Sequence, residues 1–190
     1  MFAFVVLRTF LNAIFFCLYK IQIKHCFIFL MKISVFSRRE IENMLPQIES
    51  IAKTCNFISI NNVMHFAEPP IFTESPIPEK YHNQTLILHF DDASSLDKNS
   101  DSRFLFDKTK ALQIRDFTRL TLTQKRDLII HCHAGVSRSG AIGIVLNDYA
   151  NRVLQNNPED FKQFYNSFFY PRLVPNMNVA LTLMRALEMA

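Results

Sequence analysis

Glycine is nearly absent from this chain. Its three glycines, Gly135, Gly140 and Gly143, all fall within nine consecutive positions of a 190-residue sequence. Glycine is needed where the backbone takes positive φ or where another group approaches closely. A chain that avoids it elsewhere has an unusual backbone requirement in that one stretch. Cysteine is scarce too. Cys17, Cys26, Cys55 and Cys132 show neither disulfide-framework nor C-x-x-C spacing, which excludes a disulfide scaffold and favours a reducing compartment. Acidic residues are missing from positions 1–30, where Arg8, Lys20 and Lys24 contribute +3 of the formal +4. The remaining 160 residues carry 18 basic and 17 acidic groups. With no basic stripe, nucleic-acid binding is not supported. Repeats and low-complexity tracts are also lacking. What remains is globular composition, 49% hydrophobic and 20% charged, enough for one domain with a substantial core.

Residues 1–30 stand apart as an apolar extension. Phe2–Tyr19 is interrupted by Arg8 and Asn12. A spanning helix needs roughly 20 apolar residues, and a central arginine costs about 3 kcal/mol. A secretory signal would open on positive charge and close on small residues, and neither is there. The first reading is an over-long start, the domain beginning at Met31. A membrane anchor is the second and an extra packed helix the third. The chain is accordingly expected to be cytoplasmic, with membrane attachment through 1–30 as the alternative.

From Met31 the pattern is orderly. Lys32–Phe36 alternates like a strand, and Ser37 with Glu40 forms a capping box before a helix that Pro46 should end or kink. Cys55–Ile60 and Gln84–Phe90 read as further strands, closed by Asn61-Asn62 and Asp91-Asp92. Four prolines make 67–82 mostly loop, and 93–102 is polar. Over 103–120, Ala111, Ile114, Phe117 and Leu120 recur at helical spacing. The strand 127–132 precedes a helix from about Ser139 to Gln155. Another helix is expected from Asn157 to about Tyr170, and a last one over Asn176–Met189 with Val179, Leu183 and Leu187 on its apolar face. Strands alternating with helices predict an α/β fold: a central, mostly parallel sheet of four to five strands flanked by helices, occupying 31–190. Ligands of such sheets sit beyond the strands' carboxyl ends. Asp91-Asp92 and Cys132 both fall there.

Asp127–Gly143, DLIIHCHAGVSRSGAIG, places an apolar strand before a short loop and a helix. Cys132, Gly135 and Arg138 form C-x-x-G-x-x-R, flanked by His131 and Ser139. Backbone N–H groups of His133, Ala134, Gly135, Val136 and Ser137 can turn inward into an anion-binding concavity, to which the following helix adds its positive end. Arg138 in the first turn can hold two oxygens of a tetrahedral anion. Such a surround stabilises a Cys132 thiolate below the ordinary thiol pKa of about 8.5. A thiolate beneath a phosphate-sized cradle is placed to attack phosphorus. A neighbouring carboxylic acid would then serve the leaving group and, later, water.

HCHAGVSRSG resembles the H-C-x-x-G-x-x-R-S/T signature of the cysteine-dependent protein tyrosine phosphatase superfamily, in particular its dual-specificity-like and predicted bacterial branches. TLILHFDDAS resembles the segment in which a strand ends at the general-acid aspartate, matching Asp92 best and Asp91 as the fallback. Val174-Pro175-Asn176 resembles a Pro-Asn element found after the active-site helix, though Asn176 also reads as an ordinary N-cap. The resemblance implies a signature loop between the last core strand and a helix, and metal-independent hydrolysis of phosphomonoesters through a phosphocysteine on Cys132. It gives Arg138 phosphate binding and transition-state stabilisation. Ser139 would assist departure of Cys132, and His131 would orient the loop and depress the thiol pKa. No metal or cofactor is implied. Expected partners are a phosphorylated protein or a small phosphoester.

Other readings fit less well. Cys17, Cys26 and Cys55 read as small hydrophobes. His131, Cys132 and His133 alternate in direction at a strand end and lack a second ligand pair, which disfavours a metal site. Low-molecular-weight phosphatases and arsenate reductases place C-x5-R near the chain start. Rhodanese-like sulfurtransferases have a shorter loop, and inositide phosphatases often carry loop lysines. A phosphopeptide-binding pseudophosphatase, the non-catalytic alternative, typically loses the cysteine or the arginine. Substrate preference and oligomeric state are not written in the sequence.

Overall fold

The computed structural model describes residues 31–64, 69–93, 104–154 and 174–188. The extension 1–30, the helix expected over 157–170 and most of the polar stretch 93–102 lie outside them. Strands β1 (Ile33–Ser37), β2 (Cys55–Asn61), β5 (Thr85–His89) and β6 (Asp127–Cys132) form one sheet in the order β1-β6-β2-β5. Every pairing in it is parallel, giving the α/β architecture expected. The short strands β3 (Val63–Met64) and β4 (Ile71–Phe72) pair antiparallel outside this sheet. Of this pair β4 falls within the proline-rich stretch 67–82 expected to be mostly loop, and β3 precedes that stretch; two-residue strands carry no periodicity.

Parallel strands are covered on both faces, so each alternates between two apolar layers. Leu128 and Ile130 of β6, with Ile58 and Ile60 of β2 and Leu88 of β5, face the larger core. Three helices complete that layer: α3 (Lys108–Thr123), α4 (Arg138–Asn147) and α5 (Met177–Ala186). Ile129 and Phe57 face the opposite layer with Ile41 of α1 (Arg38–Met44) and Ile48 of α2 (Ile48–Ile51). Helix α1 opens on the predicted capping box: Ser37 accepts from the Glu40 N–H, and the Glu40 carboxylate accepts from the Ser37 N–H at 2.7 Å. It ends at Met44, where Pro46 lies in a 3-10 turn over Leu45–Gln47.

Helix α3 departs from expectation in phase. Its buried positions are Ala111, Ile114, Thr118 and Thr121, while Leu120 is 48% exposed. The steps of 3, 4 and 3 follow the 3.6-residue period, and Leu120 lies about 100° from Thr121. The buried hydroxyls are satisfied within the helix, Thr118 donating to the Ile114 carbonyl and Thr121 to that of Phe117. Helix α4 is buried nearly all round and runs on as a π-helical turn through Asp148–Val153. Among the described residues no helix is long and apolar enough to cross a membrane.

Register brings the functional rim together. Ser37 pairs with Cys132, Ser59 with His131, and Asn61 with His89. The carboxyl ends of all four strands therefore finish on one edge, and the loop after β6 rises there.

Candidate active site

The loop between β6 and α4 is shaped by contact with β1. Gly135 has φ +71°, and a Cβ there would lie 2.4 Å from the Ser37 nitrogen and 2.6 Å from the Phe36 carbonyl carbon. Only glycine meets both the left-handed conformation and that approach. The Arg38 N–H donates to the His133 carbonyl at 3.1 Å and secures the same junction. Gly140 and Gly143 do not share this requirement. Both are buried in α4, and Gly135 alone among the described glycines has positive φ. The glycine cluster thus reflects one backbone constraint and two buried helical positions.

Beneath the loop lies Cys132, 1% exposed. Its Sγ accepts from the Gly135 N–H at 3.3 Å and is 3.0 Å from Ser139 Oγ. Ser139 is wholly buried at the start of α4. The thiol is therefore held by one loop amide and one helix hydroxyl, two polar groups that can stabilise negative charge on sulfur.

Arg138 is buried at 4% exposure. Its Nη1 donates to the Phe90 carbonyl at 2.8 Å and its Nη2 to Asn62 Oδ1 at 2.6 Å. The end of the guanidinium is thus fastened to the rim beyond β5 and β2. Nε, also buried, makes no hydrogen bond and lies 4.0 Å from Asp92 Oδ2. The Phe90 ring packs 6.0 Å from the guanidinium carbon, close enough for a cation–π contribution.

Asp92 is brought onto the loop by two donors to the same oxygen. Ser137 Oγ donates to Oδ1 at 2.7 Å and Asn176 Nδ2 at 2.9 Å. Ser137 is the N-cap of α4 yet makes no side-chain cap bond, its hydroxyl being directed to Asp92. Asn176 works in both directions. Its Oδ1 accepts from the Asn178 and Val179 N–H groups and caps α5, while its Nδ2 reaches Asp92 and its main-chain N–H reaches the Ser137 carbonyl. Neighbouring Asp91 is positioned through its N–H, which donates to the Phe104 carbonyl at 2.8 Å. His133 and Ala134 are exposed at the loop's outer edge, with Val136 and Ser137 half-buried.

His131 faces elsewhere. It is 1% exposed, neither ring nitrogen makes a hydrogen bond, and it helps to line a recess of about 410 Å3 with Arg38, Asn61, Asn62 and Glu74. Burial, with the Arg38 charge second and only a small opposing effect of the Cys132 main chain, lowers its pKa to about 4. The imidazole is neutral at physiological pH and brings no positive charge toward the thiol. Burial also pushes the Cys55 thiol up, as suits a small hydrophobe. Among the described residues no three His, Cys, Asp or Glu side chains converge as a metal site would require.

Two supports were not foreseen. By sequence Asn62 reads only as a strand terminator, and Ser137 only as a contributor of backbone. Their partners lie 76 and 45 residues away in sequence, beyond the reach of local pattern.

No family model matches the chain, and no curated protein does. Solved structures similar to it include Tk-PTP in its active form, at 16% identity over 83% of this chain and 91% of that one, with a TM-score of 0.44. A glycine-to-alanine variant of Tk-PTP matches at 16% identity over the same shares, with a TM-score of 0.40. OH1 from the Orf virus, described as a tyrosine phosphatase with triple substrate specificity, matches at 14% identity over 85% of this chain and 83% of its own, with a TM-score of 0.44.

Proposed function

We propose that this protein is a phosphomonoester hydrolase that works through a phosphocysteine on Cys132. One observation carries the reading: a buried thiol bonded to Gly135 N–H and Ser139 Oγ lies beneath a loop whose first helical residue, Arg138, keeps a buried Nε without a hydrogen bond beside Asp92. A phosphoryl dianion bound over the loop would receive the amides of 133–137 and the Arg138 Nε–H. Cys132 then attacks phosphorus in line with the leaving oxygen. Asp92 is assigned as the acid that protonates that oxygen. Its Oδ1 already accepts two hydrogen bonds, so Oδ2 is the atom that would carry the proton. In the second step Asp92 takes a proton from water as the phosphocysteine is hydrolysed, and Ser139 stabilises the departing sulfur.

The experiment is hydrolysis of an aryl phosphate by the purified chain. Cys132→Ser should abolish turnover, Arg138→Lys should reduce kcat/KM at least about 100-fold, and Asp92→Ala should cost about 10²–10⁴ in kcat and flatten one limb of the pH profile. Undiminished activity in Cys132→Ser would rule out the nucleophile. An Asp92→Ala enzyme with normal rate beside a crippled Asp91→Ala enzyme would exchange the two carboxylates.

A further inference from the structure

We infer that Asn62 is the positioning residue that sets the orientation of Arg138, and hence the affinity of the loop for a phosphoryl dianion. The inference rests on the function proposed above and extends it to a residue on a different strand connection. A guanidinium has donors only, so the Asn62 amide must turn its oxygen to it. The 2.6 Å bond from Nη2 to Oδ1 has that arrangement. Asn62 is itself tightly located. Its N–H donates to Thr73 Oγ1 at 2.9 Å, and its carbonyl accepts from the Thr73 N–H at 3.1 Å. The hairpin formed by β3 and β4 thereby fixes the main chain from which the Asn62 side chain reaches Arg138.

Chemistry explains why an amide suits this position. Both acceptors that hold the guanidinium end, the Phe90 carbonyl and Asn62 Oδ1, are neutral. They orient Arg138 without cancelling its charge. A carboxylate at 62 would orient it equally well but would oppose an incoming dianion. Asn62→Asp and Asn62→Leu therefore separate two effects that a structural asparagine would not: orientation, whose loss should lower kcat and weaken anion binding together, and charge, which should raise KM and weaken anion binding while leaving kcat nearly intact.

The test measures kcat and KM for an aryl phosphate, and calorimetric binding of inorganic phosphate to the same proteins carrying Cys132→Ser. Asn62→Leu should lower kcat/KM about 10- to 100-fold, the range expected for loss of a hydrogen bond to a charged group, and should weaken phosphate binding. Asn62→Asp should keep kcat within a few-fold of the unmodified protein while raising KM and weakening phosphate binding, more so at low salt. Unchanged kcat, KM and phosphate affinity in Asn62→Leu would overturn the inference. So would an Asn62→Asp enzyme as slow as Asn62→Leu while unfolding at the normal temperature. If the unmodified protein does not hydrolyse phosphoesters, the function fails independently, and the phosphate affinities alone decide whether Asn62 orients Arg138.

Discussion

Single residues in this protein separate cleanly by what their polar atoms meet. Arg138 is buried and three of its contacts are with neighbours' oxygen atoms, two neutral and one a carboxylate at 4.0 Å. His131, adjacent to the thiol in sequence, is buried with no hydrogen bond to its ring. Its contribution to stability has a definite sign. The folded pKa of about 4 lies below the unfolded value near 6.5, so between these pH values the unfolded chain binds the additional proton. Stability attributable to His131 is complete above about pH 6.5 and falls by about 3 kcal/mol as pH drops through 4. Urea unfolding between pH 4 and 7 should therefore show a markedly shallower pH slope in His131→Gln than in the unmodified protein. An identical slope would mean that the imidazole is hydrated. C-x-x-G-x-x-R was legible because its seven residues are contiguous. The lowered pKa of His131 was not, since it depends on burial in the folded chain and on the charge of Arg38.

At the scale of elements, the loop and the last helix are each locked by a small number of groups. Gly135 combines a φ of +71° with main chain 2.4 Å from where a Cβ would sit. Gly135→Ala should destabilise the protein by at least about 2 kcal/mol and displace the thiol from its amide donor, which under the proposed function lowers hydrolysis of an aryl phosphate as well. Chemical denaturation and kinetics on one preparation test both effects. Normal stability with normal kcat would show that the loop can move off β1 at little cost. The start of α1 was readable because a capping box is a local device spanning Ser37 to Glu40. The phase of α3 was misjudged at Leu120 because buried threonines can satisfy themselves against the preceding turn, and hydropathy alone counts them as polar. The reading of Asn176 was correct as an N-cap and incomplete as to Asp92, for one amide serves both through opposite ends.

The whole molecule is organised by β6, which pairs with β1 on one side and β2 on the other. Ile130 is fully buried in the larger core, two residues before Cys132. Ile130→Ala should cost about 2–5 kcal/mol, measured as a lower denaturation midpoint. If the rim is held by the sheet as a whole, kcat should change little while the variant remains folded; a large loss of kcat at full folding would instead place β6 packing within the catalytic geometry. By itself the sequence determined the alternation of strands and helices, the parallel α/β class and the cradle motif, because periodicity, caps and contiguous motifs act over a few residues. Tertiary structure alone decided that Asp92 meets Ser137 and Asn176, that Asn62 and Phe90 hold Arg138, and that only one of the three glycines is demanded by the backbone. Those outcomes depend on register between parallel strands and on connections tens of residues long, where no local pattern carries the information.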